Sequence, residues 1–315
     1  MRTAVVIGGA NIDVKARSLE PARLHTSNPG TASVTPGGVG RNIAETLARL
    51  GTPAYLVAAV GRDGVGDRLL ADTRAAGVHV EHVRRSEHPT GTYTAILNAD
   101  GELVIAVADM AATDELSPQH LQPARGLIGN AALLLLDGNL SVATLSRALD
   151  LGQAGGVRCI LDPVSVPKSA PLASLIAVDR PLYALTPTRA ELEAITSMPT
   201  ATEPQLLAAI SALHERGVEQ VWVRLGRLGS LFSTAANGLV ALDPRSVLVQ
   251  DVTGAGDAML GTFAHFILAG SAPIEAARLG HAAAALTIAS THTVRPDLTS
   301  RLVQDARLQT STESR

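Results

Sequence analysis

Seven residues constrain this chain more than any others: Asp251-Val252-Thr253-Gly254-Ala255-Gly256-Asp257. They stand between a strand-like run, Ser246 to Gln250, and an apolar segment, Ala258 to Leu268, that reads as a helix. Two glycines at this junction let the backbone approach a ligand with no Cβ in the way. The first turn of a helix leaves about four N–H groups unbonded and carries roughly half a positive charge. Such a junction is a site for a phosphate, or for charge developing on one. A carboxylate there, Asp257, repels a bound phosphate unless it has a task. The natural task is to take a proton from a hydroxyl as that hydroxyl attacks phosphorus. Helix capping is the competing account of the same aspartate.

The rest of the chain must build the frame for that junction. With 315 residues it can form one large domain with an insertion, or two domains. Apolar residues make up 46% but aromatics only 2%, so the core must come from Ala, Leu, Val and Ile, which suits an α/β protein. The net charge of −3 gives no reason to expect nucleic acid or an anionic membrane as partner. The most apolar run, Ala131 to Leu136, is far too short to span a membrane. A single cysteine, Cys159, excludes a disulfide within the chain and fits plain core in a reducing compartment. Together with an N-terminus that enters a strand without signal-peptide features, this leads us to expect a cytoplasmic protein.

Residues 4–8 are a continuous apolar run, as expected of a strand buried on both faces. Asn11 and Asp13 follow at its carboxyl end, where ligands of open α/β sheets bind; turn chemistry is the alternative account. Residues 14–36 carry Pro21, Asn28-Pro29-Gly30 and Pro36 and read as a hairpin leaving the main sheet. Gly37-Gly38-Val39-Gly40-Arg41-Asn42 then opens a helix that stops at Gly51. It has neither Walker A nor dinucleotide spacing. Thr92 to Asn98 and Leu103 to Ala108 flank Asp100-Gly101, a strong hairpin signal. Two antiparallel excursions in a βα chain predict a small sheet, such as a lid, standing off the main one. Strands are predicted near 132–137, 157–162, 182–185 and 220–225, and helices near 117–129, 141–154, 189–196 and 203–216. Pro273 to Ser290 reads as a small-residue helix, and Gln304 to Arg315 as a polar tail. The expected division is a body of residues 1–13, 37–89 and 110–303, with 14–36 and 90–109 as the lid.

The order of these motifs resembles the ribokinase-type (PfkB) carbohydrate kinases over nearly the whole chain. The early Asn-x-Asp, the Gly-Gly-x-Gly-x-Asn helix opening, the acidic helix start near 191 and Asp-x-Thr-Gly-Ala-Gly-Asp carry the resemblance. Gly8 to Val14, Ser27 to Gly30, Thr35 to Ala44, Asp109-Met110 and Asp162 to Ser165 are similar to the branch of the family that phosphorylates pseudouridine. The resemblance implies a ribokinase-like three-layer αβα sandwich with a mostly parallel sheet and a small β lid. It implies ATP and Mg²⁺, and K⁺ as a monovalent activator. Asp257 would be the base, with Gly254, Ala255 and Gly256 forming the anion hole. Asn11, Asp13, Gly38 and Asn42 would hold the ribosyl substrate, and Asp109 is the candidate reader of the base. Thr188, Glu191, Arg224, Gly226, Gly229, Thr253 and His281 would lie at the nucleotide. Glu191 would organise Mg²⁺ through water, and Asp251 would help hold the monovalent cation. Lids in this family often pair across a homodimer, and strands 92–98 and 103–108 offer a face for that.

The chain departs from the family pattern twice. Thr188 replaces the asparagine of Asn-x-x-Glu and is shorter, so it would reach phosphate or Mg²⁺ only through water. Arg224-Leu225 fills a position often held by a small hydroxyl residue before Gly226, where an arginine either meets ATP phosphates or points to solvent. His281 reads as a packed helix residue rather than an acid or base, Lys168 as a surface lysine rather than a phosphate contact, and Arg41 as a substrate contact or a turn residue. A kinase for ribose, adenosine or uridine is the alternative within the class. A nucleoside-binding sensor that has lost catalysis is favoured by Thr188 and opposed by Asp257. A nicotinamide-dependent enzyme is disfavoured by the missing Gly-x-Gly-x-x-Gly.

Overall fold

A computed structural model describes residues 2–309, Asn237 and Ser246 excepted. Its strands, in chain order, are β1 (Ala4–Ile7), β2 (Asn11–Ser18), β3 (Gly30–Gly37), β4 (Ala54–Val57), β5 (Ala59–Gly61), β6 (Arg84–Ser86), β7 (Thr92–Leu97), β8 (Leu103–Asp109), β9 (Leu133–Asp137), β10 (Arg158–Asp162), β11 (Leu182–Leu185), β12 (Val218–Arg224), β13 (Ser230–Thr234) and β14 (Gly238–Leu242). The main sheet has the order β14-β13-β12-β11-β10-β9-β1-β4. From β4 to β12 the neighbours run parallel, and β13 and β14 add an antiparallel edge. Strands β1, β9 and β11 are buried along their whole length, because helices cover both faces of the sheet.

One face packs against helices Val39–Arg49, Ala255–Leu268 and Pro273–Ile288. The other packs against Val142–Ala154, Arg189–Thr196 and Glu203–Glu215. The result is the three-layer α/β sandwich that the sequence implied. The Ala255–Leu268 helix is apolar nearly all round and is accordingly buried on most sides. Gly261 lets it cross the Val39–Arg49 helix closely, since a Cβ there would come within 2.7 Å of the Thr46 side chain.

From β1 the chain goes to β4 on one side, and later to β9 on the other. That reversal opens a crevice at the carboxyl ends of β1 and β9, where open α/β sheets bind ligands. The second sheet, in the order β3-β2-β7-β8, grows directly out of the β1 end through Gly8–Ala10 and stands beside this crevice. Its β7–β8 hairpin turns at Asp100-Gly101, with Gly101 at a φ of 92°.

Several elements differ from the sequence reading. Between 117 and 129 the chain forms a 3₁₀ helix, Pro118–Ala124, and a short helix, Arg125–Gly129, because Pro123 interrupts a continuous ladder. The described residues of 246–250 form no strand; the Gln250 and Asp251 amides bond to the Ile288 carbonyl at a helix end instead. The β13–β14 edge and the Val166–Leu172 helix carry too little periodicity in sequence to be found there. A helix, Ser300–Gln309, takes in the first part of the polar stretch and anchors through buried Val303; residues 310–315 lie outside the described residues. Among the described residues no helix is long and apolar enough to cross a membrane.

Candidate active site

The Ala255–Leu268 helix begins at Gly254, whose φ of 79° is left-handed. A Cβ there would also lie 2.2 Å from the Thr293 carbonyl, so both backbone angle and space demand glycine. No side chain caps this helix; its first amide, that of Ala255, turns back to the Val252 carbonyl at 3.3 Å. Asp257 sits in that first turn, but its carboxylate accepts from Asn42 Nδ2 at 2.7 Å rather than from the backbone. Capping therefore does not explain it. Burial pushes its pKa up to about 7; the Asn42 bond opposes this, Asp162 adds to it, Arg224 opposes it and Asp137 adds to it.

Asn42 is itself held. Its Oδ1 accepts from Arg41 Nη2 at 2.6 Å, so the amide must offer its NH₂ group to Asp257. Arg41 is buried and pairs through Nη1 with Glu45 Oε2 at 2.6 Å, and Arg49 Nε bonds Glu45 Oε1 at 2.7 Å. Arg41 is thus neither a substrate contact nor a turn residue. It is one link in a chain of charges running through a helix to Asp257.

Asn11, Asp13, Gly38, Asn42, Thr253, Gly254 and Asp257 line one cavity of about 290 Å³. Asn11 Nδ2 donates to Asp13 Oδ1 at 2.8 Å, and both side chains are buried. Burial raises the Asp13 pKa, opposed by Asn11, Lys15 and Arg41. Gly38, at a φ of 95°, admits no Cβ: one would lie 2.5 Å from the Gly9 carbonyl. Thr253, assigned in sequence to the nucleotide, faces this cavity instead. Asp109 does not reach it. It is exposed at the end of β8 and accepts from the Ala111 amide at 3.3 Å, while the adjacent Met110 lines the wall.

The sequence reading missed Asp137, Asn139 and Val164. Asp137 is fully buried at the carboxyl end of β9. Its Oδ2 accepts from the amides of Gly9 and Gly40, each at 2.8 Å, and its Oδ1 from the Asn139 amide at 3.0 Å. Burial pushes its pKa up, against those three bonds. The signal was present: an aspartate ending an apolar run stands at the carboxyl end of a buried strand. Lys168 bonds the Asn139 side-chain oxygen, so it is not a free surface lysine. Val164 takes a φ of 71°, an outlier for a β-branched residue and a cost of about 1–3 kcal/mol. No sequence pattern announces it.

A second cavity, of about 400 Å³, is lined by Arg224, Gly226, Gly229, Ala255, Gly256 and His281, among others. Arg224 bridges Asp162 (Nη1 to Oδ2, 3.1 Å) and Glu191 (Nη2 to Oε2, 3.3 Å). Its Nη1 lies so close to Gly256 that a Cβ there would approach it to 2.5 Å. Thr188 caps the Arg189–Thr196 helix in a reciprocal box: its hydroxyl accepts from the Glu191 amide at 3.3 Å, and Glu191 Oε2 accepts from the Thr188 amide at 2.7 Å. His281 stacks on Trp222 and shares a hydrogen, at 2.7 Å, with the Ser230 hydroxyl; burial lowers its pKa to about 4, so it is neutral at pH 7. Asp251 lines neither cavity. Lys15, reaching over from β2, pairs with its Oδ2 and donates to the Thr253 hydroxyl at 2.8 Å. Burial would raise the Asp251 pKa, but the Lys15 and Thr253 bonds hold it below the ordinary carboxylate value.

The two cavities meet at the first turn of one helix. Residues 1–300 match the pfkB family carbohydrate kinases. The chain belongs to that family. Over 296 residues it is 32% identical to the pseudouridine kinase of Escherichia coli (strain K12), covering 93% of each chain. It is 31% identical over 294 residues to the ribokinase of Arabidopsis thaliana, covering 90% of this chain and 75% of that one. The structure of Arabidopsis thaliana ribokinase complexed with ribose and ATP superposes with a TM-score of 0.86 at 26% identity, covering 97% of this chain and 98% of that one. This pfkB-family protein is an ATP-dependent sugar or nucleoside kinase, a phosphotransferase with an alcohol group as acceptor.

Asp137→Ala removes the acceptor for three backbone amides, two of them buried, and is expected to destabilise the fold by about 3 kcal/mol, read by urea denaturation. Asp109→Ala, outside the cavity, should leave both stability and acceptor KM unchanged.

Proposed function

We propose that the protein transfers the γ-phosphate of MgATP to the 5′-hydroxyl of pseudouridine. The observation that carries the transfer is the Asp251–Asp257 junction. It stands between two cavities, with Asp257 on one side and Gly256 beside Arg224 on the other. Similarity to the Escherichia coli pseudouridine kinase supports the acceptor, as do Asn28-Pro29-Gly30 and Gly37-Gly38-Val39-Gly40-Arg41-Asn42. Ribose is the alternative acceptor, because the Arabidopsis ribokinase is nearly as similar.

In this reading Asp13, oriented by Asn11, accepts hydrogen bonds from ribose hydroxyls, and Asn42 and the Gly38 backbone complete the grip. Hydroxyl recognition by buried groups is discriminating, because a substrate without the hydroxyl leaves them unpaired. Asp257 takes the 5′-hydroxyl proton. Its raised pKa suits a base near neutrality. The amides of Gly254, Ala255 and Gly256 meet the charge that develops on the transferring phosphoryl, the Ala255 amide giving up its 3.3 Å bond to the Val252 carbonyl to do so. Arg224 supplies further positive charge there, and His281 serves as a neutral wall of the nucleotide cavity. Glu191 and Asp162, both already paired with Arg224, would hold Mg²⁺ through its waters, which fits an ion that keeps most of its ligands as water and phosphate. Among the described residues no cluster of three or more His, Cys, Asp or Glu forms a dedicated metal cage. Mg²⁺, when bound, neutralises phosphate charge. The Thr188 hydroxyl caps the Arg189–Thr196 helix, which gives the departure from asparagine a structural role. The second sheet, which begins at Asn11 rather than at the expected residue 14 and ends its β3 at Gly37 rather than at 36, acts as a lid over the body and excludes water. A cytoplasmic location fits the buried free thiol of Cys159.

The lid also suits a homodimer. Register puts Val34 and Val107 in one row and Ala32, Ile96 and Ile105 in the next, on one side of the sheet. Val34, Ile105 and Val107 are 57–65% exposed, an apolar face that a second copy would cover.

ADP release from MgATP should be strongest with pseudouridine when uridine, adenosine and ribose are compared in parallel; a preference for ribose would overturn the acceptor. Asp257→Asn should lower kcat roughly 100- to 10,000-fold with acceptor binding by calorimetry nearly intact. In the wild type, kcat/KM should rise about tenfold per pH unit and level off above about pH 7, as the carboxylate loses its proton. Ile105→Lys should convert a dimer to a monomer in sedimentation velocity; a wild-type monomer would remove the lid interface.

A further inference from the structure

A monovalent metal ion beside Asp251 is the part of the family resemblance that this chain fits least. The carboxylate already has a cation. The Lys15 ammonium engages Asp251 Oδ2 and donates to Thr253 Oγ1 at 2.8 Å, while Asp251 Oδ1 accepts from the Thr253 amide at 2.9 Å. One residue further on, Gly254 turns the chain into the helix whose first-turn amides face the phosphoryl. Lys15 therefore grips both polar side chains of the loop that sets those amides in place. A lysine ammonium is a compact unit charge with three donors and no acceptor. It supplies the charge of a monovalent ion at the same carboxylate, and repels a second cation placed there.

We propose that Lys15 is a positioning residue that serves as the built-in monovalent cation of the Asp251–Gly254 loop, so that transfer needs no K⁺. The proposal rests on the kinase reading above. Alternation along β2 adds a consequence, because Asp13 and Lys15 point to the same side of the strand. Asp13 lines the acceptor cavity and Lys15 holds the loop. One rigid strand thus joins acceptor binding to the order of the anion hole.

The test compares the wild type with Lys15→Met in KCl and in tetramethylammonium chloride at equal ionic strength. Initial rates of ADP release and melting temperatures are read on the same samples. The wild-type rate should change less than about twofold, whereas Lys15→Met should gain an activation by K⁺ on the order of tenfold or more, within the usual span of coupling between two sites. The lost activity should lie mainly in kcat, and K⁺ should raise the melting temperature of Lys15→Met but not of the wild type. A wild type that is itself activated and thermally stabilised by K⁺ would overturn the proposal. So would a Lys15→Met that keeps its activity without K⁺, or one that loses it beyond rescue by K⁺. The thermal measurement needs no acceptor. If no acceptor is turned over at all, the kinase reading fails separately while the cation assignment is still decided.

Discussion

A buried carboxylate, Asp137, holds this active site in its shape. It ends β9 at the point where the strand order reverses, and it collects the amides of Gly9, Gly40 and Asn139. Those three amides belong to the three segments that close the crevice. Gly8 and Gly40 have no side chain because none would fit: a Cβ on Gly8 would lie 2.2 Å from Asp137, and one on Gly40 2.8 Å from Gly8. A charge this deep is costly unless hydrogen-bonded, and three backbone donors offset that cost.

The same carboxylate contributes to the electrostatics around Asp257. Asp137 and Asp162 both raise the pKa of Asp257 through space, in addition to burial. Asn42 and Arg224 pull the other way. The balance leaves the Asp257 pKa at about 7. Its position is controlled from behind: the Asn42 amide has one orientation because Arg41 takes its oxygen, and Arg41 is fixed by Glu45. The opposite cavity is organised by a different balance, with Arg224 shared between Asp162 and Glu191. The chain thus has more fixed charge at its centre than the small hydroxyl residue usual near Gly226 would provide.

The second sheet connects these parts. It leaves β1 within three residues, carries Asp13 into the cavity beside Asp257, and sends Lys15 to the Asp251–Gly254 loop. The contact ties the order of the Asp251–Gly254 loop to the position of β2.

Much of this was legible in the order of residues. Continuous apolar runs announced the parallel strands, Asp100-Gly101 a hairpin, and glycines 38 and 254 the turns that only glycine can make. Asp13, Asn42 and Asp257 could be singled out because their spacing to those glycines is local. What escaped was long-range or irregular. Asp109 looked like a ligand and stands outside; Thr253 looked like a nucleotide contact and lines the other cavity. Neither β13 nor β14 was visible, because short edge strands have little hydrophobic pattern. By itself the sequence determined the fold class, the family and the backbone turn of the helix junction, since local backbone rules and apolar periodicity are written into adjacent residues. The partners of Asp137, Arg41, Arg224 and Lys15 were decided only by the tertiary structure. Those partners are brought together by the packing of distant segments, and neither charge nor spacing along the chain specifies which carboxylate a buried cation will meet.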